Sequence, residues 1–211
     1  MEINPLIDRF FQDFQPGEEI RINSGEGYTC AIEYFGKKLE EVSDKAGISI
    51  VVGPIVSVDG IPGERENSNL YIRLAKEGRA TLFCPPCRER FHYKVRSKDA
   101  VLKEDYHVPH APLGERNEEL IEDPLIVNSF IRDFDLSIKV FELEPITKDN
   151  WGNHFIYLKE NEIGQLRDFL RKNPYPSMNP DLRYDFLTHD EIIELLKQAG
   201  VFREEMLGSY G

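Results

Sequence analysis

Apolar residues in the opening stretch fall at Leu6, Ile7, Phe10, Phe11 and Phe14, the spacing of one helical face. Asn4-Pro5 ahead of them reads as an N-cap followed by the first helical residue, and Pro16-Gly17 stops the pattern. The period then changes to two. Tyr28, Cys30, Ile32 and Tyr34 alternate with Thr29, Ala31 and Glu33, which predicts a strand with Cys30 turned toward a core. Residues 48–52 and 55–58 are short β-branched runs, broken at Gly53-Pro54 and closed by Asp59-Gly60. Residues 70–74, 80–84 and 91–96 continue the strand rhythm, with Glu77-Gly78 as the hairpin turn between the first two.

A stretch over 105–123, rich in Pro, Gly and charge, reads as a linker or long loop. Beyond it Phe134, Leu136, Ile138 and Val140 alternate as a strand, and 154–158 forms another. Ile163, Leu166, Phe169 and Leu170 mark a helix that ends before Pro174, and three prolines in 173–180 make a second break. Thr188-His-Asp-Glu191 is a capping box, Ile192, Ile193, Leu195 and Leu196 form the apolar face behind it, and Gly200 is the stop. These elements predict an α+β fold. An antiparallel β-barrel or sandwich with a leading helix fills 1–104, and a smaller strand–helix unit fills 124–211.

Charge sharpens the picture at one place. The 211-residue chain carries a formal net charge of −12, which disfavours unspecific binding of nucleic acid or anionic lipid over most of its surface. Residues 72–103 run the other way, with nine Lys/Arg against three acids, so the remainder sums to −18. Within this stretch Arg88, Arg90, Lys94 and Arg96 interleave with Phe83, Phe91 and Tyr93, the composition of a surface that binds phosphates and stacks bases. The period-2 rule puts aromatics and cations on opposite faces of the strand. That suits an apolar core beneath a basic, solvated face better than a stacking platform. The competing reading is that these cations neutralise the chain's own carboxylates.

Reactive side chains gather in the same region. Of 3 Cys and 5 His in the chain, Cys84, Cys87, His92, His107 and His110 all fall within 84–110. Cys84-x2-Cys87 with His107-x2-His110 offers four zinc ligands in a knuckle-like arrangement, although Pro86 removes an amide such turns use. Cys84-Pro-Pro-Cys87 also resembles a redox dithiol, with Arg88 and Arg90 favouring the thiolate, but strand periodicity follows it where a helix is required. The third reading involves no chemistry: Cys84 is a buried strand-end residue, Pro85-Pro86 a rigid turn and Cys87 a small filler. No phosphate-cradling glycine loop, nucleophile elbow or His-Glu-x-x-His occurs, and Asp133-x-Asp135 with Glu142 and Glu144 reads as an acidic edge.

No apolar run approaches a membrane span and the N-terminal residues do not form a signal peptide, so a reducing, cytoplasmic location is expected, without a disulfide framework. The reading that leads is a non-enzymatic binding or adaptor protein. Its basic strand pair would dock a polyanion such as nucleic acid, or an acidic protein surface, with structural zinc as an accessory. The alternative is a thiol-redox enzyme using Cys84 and Cys87.

Overall fold

The computed structural model describes residues 3–24, 33–53, 55–57, 64–85, 92–97, 99–105, 117–173 and 188–207. Helix α1 (Pro5–Phe11) starts as the sequence dictates: Asn4 Oδ1 accepts from the amides of Leu6 at 2.9 Å and Ile7 at 3.3 Å. Strand β1 (Glu19–Ser24), helix α2 (Glu33–Val42), strands β2 (Gly47–Val52) and β3 (Ile55–Ser57), helix α3 (Glu64–Lys76) and strand β4 (Thr81–Phe83) follow. Strands β5 (His92–Arg96), β6 (Ala100–Asp105) and β7 (Asn117–Ile121) then lead into helix α4 (Pro124–Val140). The rest comprises strand β8 (Ile156–Leu158), helices α5 (Glu160–Lys172) and α6 (His189–Gln198), and short 3-10 turns at Trp151–Asn153 and Glu204–Met206.

Six strands form one open sheet in the order β4-β2-β1-β5-β6-β7. β1 pairs with β2, and β2 with β4, in parallel, whereas β1–β5, β5–β6 and β6–β7 are antiparallel. The fold is therefore mixed α and β as expected, but the sheet is neither a barrel nor purely antiparallel. The reason lies in two segments read as strands. Leu70, Tyr71 and Leu74 are buried along α3, and Tyr34, Phe35 and Leu39 along α2. These helices make the crossovers that parallel neighbours require. Gly78, at φ +73°, ends α3 instead of turning a hairpin, with the Arg79 amide donating to the Leu74 carbonyl at 2.8 Å. The predicted strand over 28–34 ends in the first turn of α2, and its residues 28–32 lie outside the described residues.

Helix α4 corrects a further expectation. Phe134, Leu136, Ile138 and Val140 do alternate, yet Val127, Phe130, Ile131, Phe134 and Ile138 share the inward face of a helix, while Leu136 and Val140 face out. Asp123 caps it, accepting from the amides of Leu125 at 2.8 Å and Ile126 at 3.3 Å, with Pro124 in the first turn. β7 lies inside 105–123, where a linker was expected.

Both sheet faces are covered. On one, Ile20, Ile22, Ile48, Ile50, Leu82 and Leu102 pack against Ile7 and Phe10 of α1, Phe35 and Leu39 of α2, and Leu70 and Leu74 of α3. Ile146, Trp151 and Phe155 from the later part of the chain join this core. On the other, Val51, Phe83, Tyr93, Val95 and Val101 meet Val127 and Phe134 of α4. A separate cluster ties β8, α5 and α6 together through Ile156, Leu158, Leu166, Ile192 and Leu196. β8 pairs in parallel with β3. None of the described helices is long and apolar enough to cross a membrane.

Candidate binding site at the carboxyl ends of the parallel strands

The chain leaves β1 for β2 and then β4 on one side, while β5, β6 and β7 occupy the other, so the order of strands reverses at β1. At β1 the sheet changes from parallel pairing with β2 to antiparallel pairing with β5, so the carboxyl end of β1 lies beside the start of β5. Ser24 ends β1 at this point, and the register sets His92 directly opposite it. Glu104 is the cross-strand neighbour of His92 on the far side. Lys94 follows two residues along β5, in register with Ile22 of β1. The chain reaches this end of the sheet at Pro85 and leaves it from His92. Arg88 and Arg90 occur in the intervening stretch, outside the described residues.

The alternation within β5 is as the sequence implies, but its environment is not. Tyr93 and Val95 face α4, where the Tyr93 hydroxyl donates to Asp133 at 2.9 Å and its ring meets Phe130 edge-on at 4.8 Å. Lys94 and Arg96 face the opposite core and are 4% and 7% exposed, which corrects the expectation of a solvated basic face. The Lys94 ammonium stands 4.9 Å from the centre of the Phe35 ring. Arg96 spans two elements. Its Nε and Nη2 donate to the Glu18 carboxylate at 2.6 and 3.1 Å, and its Nη1 donates to the carbonyls of Phe10 at 3.0 Å and Gln12 at 2.5 Å. The hydrogen bonds from Arg96 hold the Glu18 carboxyl below its ordinary range against the opposing effect of burial, helped by the Gln15 amide.

Other cations of the basic stretch are likewise engaged within the chain. Arg73 pairs with Glu40 at 2.7 Å, and Arg79 with Asp44 at 2.8 Å and Glu77 at 2.9 Å. The Lys76 ammonium lies 5.3 Å from the Trp151 ring centre. Much of the positive charge that the composition concentrates between 72 and 103 is thus matched locally.

Cys84 follows β4 directly and is buried, its thiol pointing to the carbonyls of Pro85 at 3.7 Å and His154 at 3.8 Å. Burial pushes the thiol up to about 12, so at neutral pH it is protonated and a poor nucleophile. Cys87, His107 and His110 lie outside the described residues. β4 and β6 are separated by β2, β1 and β5, four inter-strand steps or roughly 19 Å. Cys84 and the chain carrying His107 and His110 therefore leave the sheet far apart. Among the described residues no three His, Cys, Asp or Glu side chains gather as a metal site. His154, half-buried, is held below the usual histidine range by burial and by the nearby His189.

The row Ser24, His92, Glu104 escaped the sequence reading, because it is assembled across three strands whose pairing no local pattern encodes. Only His92-x-Lys94, two polar side chains on one strand face, was visible in the sequence.

No family model matches the chain, and no curated protein matches it in sequence. Among solved structures, the chain is similar to an archaeal chromatin protein, TrmBL2, whose structure shows a novel mode of DNA binding. The TM-score is 0.46 and the identity 14%, over 68% of this chain and 53% of the other, so the chain spans about half the length of that protein. A likeness of this degree assigns the chain to no family.

Proposed function

We propose that the chain is a binding protein for a polyanion, nucleic acid first among them, which it takes up at the carboxyl ends of β1, β2 and β4 rather than on an exposed strand face. The observation that supports this reading is the pairing of β1 with β5, which sets the start of β5, the strand that follows Arg88 and Arg90 in sequence, beside the carboxyl ends of β1, β2 and β4. Arg96 belongs to the scaffold in this reading, since its donors are filled by Glu18 and two main-chain carbonyls. Lys94, buried over the Phe35 ring, belongs to the scaffold as well, and Arg88 and Arg90 supply the direct phosphate contacts.

The test is fluorescence anisotropy with short single-stranded DNA, RNA and heparin at two salt concentrations. Binding should weaken steeply with salt, because each phosphate contact releases counterions. Arg88→Glu with Arg90→Glu should abolish binding and leave the unfolding midpoint unchanged. Salt-insensitive or absent binding to all three probes would leave an acidic protein surface as the partner. An oligonucleotide recovered shortened would replace binding with catalysis.

Zinc on Cys84, Cys87, His107 and His110 is a second reading, favoured by β4 and β6 both ending on this side of the sheet. It requires the residues after Asp105 to return over β5, β1 and β2. One equivalent of zinc in protein purified without chelator, lost in Cys84→Ser, would establish it.

A further inference from the structure

We draw no further inference here: the strongest candidate, the exposed apolar stripe of helix α4 that carries Leu125, Leu136 and Val140, is an unpartnered surface, and nothing in the structure shows what covers it.

Discussion

Arg96 is a charged side chain carried into the interior, and what fills its fork decides what the charge does. It joins the end of α1 to β5 by donating to the Phe10 and Gln12 carbonyls, and Glu18 neutralises it at 2.6 Å. A buried pair of this kind is weak evidence for net stability, but removing one partner strands the other. Arg96→Ala is therefore expected to cost about 3 kcal/mol at neutral pH. The sign of the pH dependence follows from Glu18, whose folded value lies below the ordinary 4.5. Its contribution is fully present above that ordinary value and is lost as pH falls through the lower folded one. Urea unfolding of wild type and variant at about pH 7 and about pH 3 should show the gap narrowing at the acid end. An unchanged gap would mean that the main-chain carbonyls, and not the carboxylate, carry the clamp.

At the scale of the element, the capping box and glycine stop of α6 were legible in the sequence, whereas α3 and α4 were not. Thr188 Oγ1 accepts from the Glu191 amide at 3.3 Å, and Glu191 returns to the Thr188 amide at 2.8 Å, as the capping box predicts. Gly200 stops α6 at φ +71°. Thr188→Ala should lower stability by about 1 kcal/mol, measured as a shift in the denaturation midpoint with an unchanged slope. An unmoved midpoint would mean the cap contributes nothing. In α4 the sequence does carry a start signal, Asp123-Pro124, but the reading of 134–140 as a strand rests on the short window of alternating apolar residues alone. Four positions at period two cannot distinguish a strand from every second residue of a helix. The inward positions Val127, Phe130, Ile131 and Phe134 restore the helical period only over a longer span. α3 was misread in the same way, since Leu70, Tyr71 and Leu74 fit both templates until their burial is known.

At the scale of the molecule, one sheet is completed by residues far along the chain. β7 extends its edge, α4 covers Tyr93, Val95 and Val101, and Trp151 and Phe155 enter the opposite core. A fragment ending at residue 104 would lose all of these and expose two apolar faces. Its expected behaviour is aggregation or a loss of cooperative unfolding, read by size-exclusion chromatography and thermal circular dichroism. A soluble fragment with a sharp transition would show that 1–104 folds as a unit by itself.

The sequence alone determined what depends on neighbours along the chain. Such features are the caps of α1 and α6, the stop at Gly200, the extended runs that became β2, β4 and β5, and the alternation that separates Tyr93 and Val95 from Lys94 and Arg96. Only the tertiary structure decided what depends on residues brought together from afar. Alternation says which side chains share a face, but not whether water or a helix covers it, so the basic face of β5 became an interior one once α1 and α2 packed above it. Strand order and direction are set by which pairings bury both faces at once, and no local period records that choice. The row of Ser24, His92 and Glu104 at the end of the sheet exists only because β1 became the neighbour of β5.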